Sequence, residues 1–172
     1  MLTSIHGTPV PLPDPDRLLH LQFRRFAGCP VCNLHLRSVA ARHDEIRAAG
    51  IREVVVFHST REELLEHAGD LPFDVVADPD KHLYRQYGVG SAPRALLDPR
   101  AWPGIVRAIA AGLRHRDRTP SLRVHGGRLG LPGDFLIAPD GRTIASKYGE
   151  HADDQWSVDD LLALVPAKEN RP

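Results

Sequence analysis

Cysteine is scarce in this chain: Cys29 and Cys32 are the only two in 172 residues, and they stand three positions apart. A disulfide-stapled scaffold is thereby excluded, because it needs more cysteines in a smaller chain. No sign of charge dominates. Lysine plus arginine number 22, and aspartate plus glutamate also number 22. Proteins built chiefly to hold nucleic acid are usually basic, so no nucleic-acid partner is expected. No uninterrupted apolar run approaches the roughly 18 residues of a membrane span, so no membrane partner is expected either. Met1 to Pro15 lacks a basic start and a long apolar core, and so does not read as a secretory signal. Unless a leader has already been removed, the expected location is the cytoplasm. Internal repeats and low-complexity tracts are missing too.

The chain does have enough apolar material for a core. Hydrophobic residues make up 42%, which suits one globular domain over residues 1–172. Ile5 to Asp16, with four prolines, reads as a short hairpin or extended arm. Leu18 to Phe26 reads as a strand. A Gly-Cys-Pro turn follows, and Val31, Leu34, Val39 and Ile46 then mark one face of a helix over 31–49 that Gly50 ends. Val54 to Phe57 is a continuous apolar strand. Ser59 or Thr60 can cap the next helix, with Glu62 and Glu63 in its first turn. Phe73 to Val76 is a third strand, and Asp78-Pro79 opens a helix to about Tyr87. Phe135-Leu136-Ile137 and Thr143-Ile144-Ala145 flank Pro139-Asp140-Gly141, a hairpin signal. A last helix starts at Ser157 and stops at Pro166. The order βαβαβα, an interruption, then ββα predicts an α/β fold: a mixed central sheet flanked by helices, with an antiparallel edge.

The interruption, roughly 89–130, is too long for a plain loop. Asp98-Pro99 can start a helix to about Leu113, with Ile105, Val106, Ile109 and Leu113 as its apolar stripe. Beyond it, residues 114–128 hold five arginines (Arg114, Arg116, Arg118, Arg123, Arg128) against one acid, Asp117, a balance of +4. That segment reads first as a solvated loop, and second as a lid that attracts an anionic substrate or partner.

The placement of Cys29-Pro30-Val31-Cys32 says more than its spacing. Cys29 follows a strand and sits where a helix begins, and the unpaired N–H groups there favour an anion. A thiolate is such an anion, so Cys29 is expected to have a lowered pKa and raised reactivity. Pro30 suits the first helical position. Cys32, one turn further in, is expected to be the more buried, as suits a resolving thiol. Two other readings stay open. The pair can be plain structural cysteines. Alternatively Cys29, Cys32 and His35 can offer three ligands to a metal, although a closed zinc site needs a fourth. The chain would then be a non-catalytic metal-binding or redox-sensing module. The catalytic reading needs no cofactor.

Phe23 to Cys32, Val55-Val56-Phe57-His58-Ser59, Asp78-Pro79, Gly130 to Ile137 and Pro139-Asp140-Gly141 together resemble a known family. It is the peroxiredoxin-like branch of the alkyl hydroperoxide reductase/thiol-specific antioxidant superfamily, which also holds the prostamide/prostaglandin F synthases. The resemblance covers most of the chain and is weakest over 89–129. It implies a thioredoxin-like fold and an antioxidant thiol–disulfide oxidoreductase or thiol-dependent peroxidase. Cys29 and Cys32 would be catalytic, and the substrate a disulfide or hydroperoxide. The implied electron donor is thioredoxin or a low-molecular-weight thiol, and homodimerisation stays open. In that fold a cis proline faces the redox pair. Pro132 is the carry-over for it, with Pro93 as competitor. One departure matters. Better-known peroxiredoxins carry Pro-x-x-x-Thr/Ser-x-x-Cys. Ending that motif on Cys32 puts Cys29 and Arg25 in the hydroxyl and proline places, and ending it on Cys29 puts Phe26 and Gln22 there. Dithiol exchange is therefore favoured over direct peroxide reduction.

Other candidates are positional. Arg24 and Arg25 alternate in facing, so at most one points at the cysteines, and Arg25 is the candidate for substrate contact. His58 ends a sheet strand where α/β ligands gather. Asp134, close after Pro132, is a candidate proton acceptor or substrate contact. His35, on the redox helix with His43, can touch Cys32 from one turn away, but a surface place is the favoured reading. Glu150 and His151 are rim candidates.

Overall fold

The computed structural model describes residues 1–115, 124 and 126–166. Strands β1 (Leu2–Thr3) and β2 (Pro9–Val10) form the N-terminal hairpin. The main body runs β3 (Leu18–Arg24), α1 (Pro30–Ala41), α2 (His43–Ala48), β4 (Ile51–Phe57), α3 (Arg61–Ala68), β5 (Asp74–Ala77) and α4 (His82–Gln86). Then come α5 (Arg94–Leu97), a 3₁₀ turn (Pro99–Ala101), α6 (Trp102–His115), β6 (Gly133–Ile137), β7 (Thr143–Tyr148) and α7 (Val158–Ala163). The five-stranded sheet has the order β5-β4-β3-β6-β7. β3, β4 and β5 are parallel, while β6 and β7 are antiparallel. This is the mixed sheet with an antiparallel edge that the sequence predicts. Among the described residues no helix is long and apolar enough to cross a membrane.

Local chemistry sets the boundaries. Thr60 and Ser157 each close a capping box, with Glu63 and Asp160 respectively. Asp98 accepts from the Arg100 N–H and starts the turn into α6. Two boundaries differ from expectation. The helix expected over 31–49 breaks at Arg42, whose guanidinium ties to Glu45 and Asp159. The break lets the His43 ring meet Phe73, 5.7 Å away. The helix expected to open at Pro79 begins at His82 instead. Asp78 still caps it, from a distance, by accepting from the N–H groups of His82 and Leu83 at 2.8 Å each.

The interruption folds back on itself. Ser91 bridges Gly130, the Ala92 N–H reaches the Leu129 carbonyl, and the Leu131 N–H reaches the Gly90 carbonyl. Within it α6 packs on α1, but not by the expected stripe. Its small face (Gly104, Ala108) is buried, Ile105 is half-buried, and Val106, Ile109 and Leu113 are exposed together with Trp102. Small residues let the two helix backbones approach closely. At Gly104 a Cβ would lie 2.0 Å from an Asp153 carboxylate oxygen, so a larger residue there requires the Asp153 side chain to move. Arg116, Asp117, Arg118 and Arg123 of the basic segment lie outside the described residues.

Candidate active site

The chain must turn from β3 into α1 within five residues. Gly28 permits this with φ +75°, and a Cβ there would come within 2.9 Å of the His67 ring. The Ala27 N–H is held by Ser59 Oγ at 2.9 Å, and the Cys29 N–H by the Phe26 carbonyl at 3.1 Å. Cys29 thus becomes the N-cap residue of α1, with Pro30 first in the helix and Cys32 one turn in. Both cysteines are free thiols.

Arg25 donates from Nη1 to Cys29 Sγ at 3.7 Å. Its other terminal nitrogen donates to the Arg128 carbonyl. The guanidinium carbons of Arg25 and Arg128 lie 5.3 and 5.4 Å from the Phe26 ring centroid, within cation–π range. Burial opposes ionisation of Cys29. The hydrogen bond from the Cys32 thiol, the charge of Arg25 and the backbone N–H groups of Cys32 and Val31 outweigh it and bring its pKa to about 6. The Cys32 thiol is pushed well up by burial, by its hydrogen bond to Cys29 and by the Cys29 charge. The pair is thus split into one ready thiolate and one held proton. We predict that the ultraviolet thiolate absorbance of Cys29 titrates near pH 6. In Arg25→Met the midpoint is expected to rise by about one unit. An unmoved midpoint would show that Arg25 does not act on the thiolate.

Burial departs from expectation. Cys29 is fully buried and Cys32 is 2% exposed, so Cys29 is not the more open of the two. Ile105 and Ala108 of α6, together with Val124, join Phe26, Cys29, Val31 and Cys32 in one apolar cluster. The interruption thus contributes to the apolar cluster that contains the pair.

The other candidates are scattered. Pro132 is buried, but its peptide bond is trans. The cis bond among the described residues is Leu12–Pro13. Pro132 instead extends the β6–β7 ladder, its carbonyl accepting from the Gly149 N–H at 2.9 Å and its ring lying against Gly149. Pro93 is exposed at the start of α5. His58 is fully buried; its N–H donates to the Arg25 carbonyl and its ring stacks edge-on with Tyr84, under Gly126 and Gly130. It therefore supports the Arg25 backbone rather than facing solvent. Glu150 pairs with Arg100, and His151 accepts from the Asp153 N–H.

Asp134 is neither a free base nor open to a substrate. It is fully buried, with Arg24 Nη2 at 2.6 Å, His20 Nε2 at 3.3 Å and the Trp156 N–H at 3.3 Å. Although burial opposes this, the charges and hydrogen bonds of Arg24 and His20 hold its carboxyl well below the usual range. The network extends further. Arg24 Nη2 also donates to Gln22 Oε1 (2.6 Å), His35 Nε2 lies 3.0 Å from the same nitrogen, and His20 Nδ1 meets Glu53 at 2.9 Å. His35 is therefore turned toward Arg24. Among the described residues no three His, Cys, Asp or Glu side chains gather as metal ligands. The signal for the network was present in the sequence. His20, Gln22 and Arg24 stand at period two in an otherwise apolar strand and share one face of the sheet.

His20 makes stability depend on pH. Its burial lowers the pKa, but Glu53 and Asp134 outweigh that and raise it to about 9. Its contribution is complete below pH 6.5 and is lost as pH rises through about 9. Cys29 acts oppositely, adding stability as pH rises above about 6 toward its ordinary value of 9.0. The two oppose each other over one window, so a variant must separate them. Between about pH 6 and pH 9.5 the stability gap between the parent and His20→Gln is predicted to narrow by about 3 kcal/mol in urea unfolding. A gap independent of pH would mean that His20 carries no proton in the fold.

A thioredoxin-like sheet with an ionisable cysteine at the start of its first long helix defines the class: a thiol oxidoreductase or thiol-dependent peroxidase. The family model described as AhpC/TSA antioxidant enzyme matches residues 38–151. That is more than half of the chain, and the chain belongs to this family. The matched span begins beyond Cys29 and Cys32, so their roles are argued from their own geometry. No curated protein matches the chain. Among solved structures it is similar to peroxidoxin BcpB from Mycobacterium tuberculosis, at 16% identity and TM-score 0.66, over 95% of this chain and 89% of that one. It is also similar to peroxiredoxin Q from Xanthomonas campestris, at 17% identity and TM-score 0.64, over 97% and 89%. A Chlorobium tepidum protein described as thiol:disulfide interchange protein DsbE aligns at 19% identity and TM-score 0.59, over 95% and 91%. At these identities the likeness speaks for the fold.

Proposed function

We propose that this protein is a dithiol–disulfide oxidoreductase with Cys29 as nucleophile and Cys32 as resolving thiol. The observation that carries the reading is the divided pair: a Cys29 thiolate favoured near pH 6 beside a Cys32 thiol held protonated. The Cys29 thiolate attacks a substrate disulfide, forms a mixed disulfide and expels one substrate thiolate. Cys32 then loses its proton and attacks Cys29 Sγ, releasing the second thiolate. The protein is left with a Cys29–Cys32 disulfide, having given up two electrons. An external thiol, either thioredoxin or a low-molecular-weight thiol, restores it.

The burial of Cys29 favours a second reading with a small oxidant. A hydroperoxide oxidises the thiolate to a sulfenic acid and leaves as an alcohol or water. Cys32 then condenses with the sulfenic acid, releasing water and forming the same disulfide. Stopped-flow oxidation by a dialkyl disulfide and by hydrogen peroxide separates the two. The first reading predicts that the disulfide reacts faster than with a free thiol while peroxide does not. The reverse ranking would make the protein a peroxidase.

A further inference from the structure

The fold leaves the apolar stripe of α6 without a partner. Trp102, Val106, Ile109 and Leu113 are 59%, 62%, 51% and 78% exposed. None of the four joins an apolar cluster of the core among the described residues. At about 100° per residue the stripe points roughly 150° away from the face that carries Gly104 and Ala108. It therefore looks away from the body of the protein. Its steps of four, three and four residues are those of a coiled-coil seam. The flanking positions, Pro103 and Ala110 on one side and Ile105 and Gly112 on the other, carry no charge. A helix face meant for water carries charged and polar groups. This one calls for an apolar partner.

The stripe is complementary to a second copy of itself. A two-fold axis midway between Val106 and Ile109 sets two α6 helices antiparallel. Val106 of one copy then meets Ile109 of the other, and Trp102 meets Leu113. Charge favours the same arrangement. Just before α6, Asp98 and Glu150 flank Arg100, a balance of −1. Arg114 stands in the last turn. Antiparallel packing brings the Arg114 end of one copy to the Asp98–Glu150 end of the other and opposes the helix dipoles. Parallel packing would bring like charges together. Four side chains so exposed offer roughly 500 Å² per copy, on the scale of the largest patch that a monomer leaves open. A pair of copies would bury about 1,000 Å², the lower bound for a specific interface and the size of a weak, reversible one.

We propose that α6 is a homodimerisation helix, on which a second copy of this chain docks antiparallel through Trp102, Val106, Ile109 and Leu113.

The test is sedimentation velocity of the intact, reduced protein from about 1 μM to about 500 μM, with tryptophan emission followed over the same range. We expect a reversible shift from the 19.0 kDa chain to twice that mass, with a midpoint on the order of tens of micromolar. Emission should shift to the blue with the same midpoint, and Trp102→Phe should remove that shift. Ile109→Arg changes an exposed residue outside the redox cluster. It is expected to stay monomeric throughout, with unchanged circular dichroism and an unchanged exchange rate at Cys29. Arg114→Glu should weaken the dimer about fivefold, and adding Glu150→Arg should restore it. A monomer at every concentration, a dimer that survives Ile109→Arg, or an affinity that Arg114→Glu leaves unchanged would overturn the proposal. So would a monomer whose Trp102 emission shifts on phosphatidylcholine/phosphatidylglycerol vesicles, since the face would then belong to a membrane surface.

Discussion

Cys29→Ser is expected to abolish both disulfide exchange and peroxide consumption, with a fall of roughly 10³-fold or more to the background of the donor alone. The reason is local. Arg25, the Cys32 thiol and two backbone N–H groups converge on Cys29, and Cys29 is the group they make ionisable near pH 6. A serine there keeps the N-cap but has no accessible anion. Cys32→Ser should behave differently. It leaves the first attack possible and removes resolution, so a mixed disulfide with the substrate accumulates and is seen by mass spectrometry. If instead Cys32→Ser stops the first step and Cys29→Ser does not, the two roles are exchanged.

The second large effect is on stability. Asp134→Ala is expected to destabilise the protein by about 3–5 kcal/mol, because Arg24 and His20 lose their shared buried counter-ion. Against a typical total of about 5–15 kcal/mol this is severe. The double variant Arg24→Met/Asp134→Leu, which removes both charges and fills the space, should recover a large part of the loss. Urea unfolding of the three proteins decides the matter. A single-variant loss below about 1 kcal/mol would mean that water reaches the network and screens it. The network lies under α1 and contacts it through His35, so its loss should also loosen the helix that holds the cysteines.

Much of this was legible in the sequence, and the missing parts share a cause. The strand–turn–helix setting of Cys29 follows from Gly28, Cys29 and Pro30 alone, since turn freedom, capping and the first helical position are local properties. The hairpin at Pro139-Asp140-Gly141 and the caps at Thr60 and Ser157 are local too. The burial of Cys29 was not legible, because it depends on long-range packing: the apolar cluster that contains it also draws in Ile5, Val75 and Ala108 from distant parts of the chain. The apolar stripe of α6 was found by its period, yet periodicity does not say which face packs. The face carrying Gly104, which lies against Asp153, and Ala108 is buried, and Val106, Ile109 and Leu113 are left outside. Pro132 followed the resemblance into a role that the β6–β7 ladder denies it. Asp134 is expected from the sequence as a proton acceptor or substrate contact near the cysteines, but its partner is Arg24 rather than a thiol. Only the pairing of β3 with β6 brings those two together.

The most direct test of the central claim is a redox titration of the purified protein against thiol/disulfide buffers, read by mass spectrometry with proteolytic mapping. The account predicts one reversible two-electron transition, in which Cys29 and Cys32 lose two hydrogens and become joined to each other. Oxidation that stops at a mixed disulfide on Cys29, with Cys32 still a thiol at equilibrium, would contradict it.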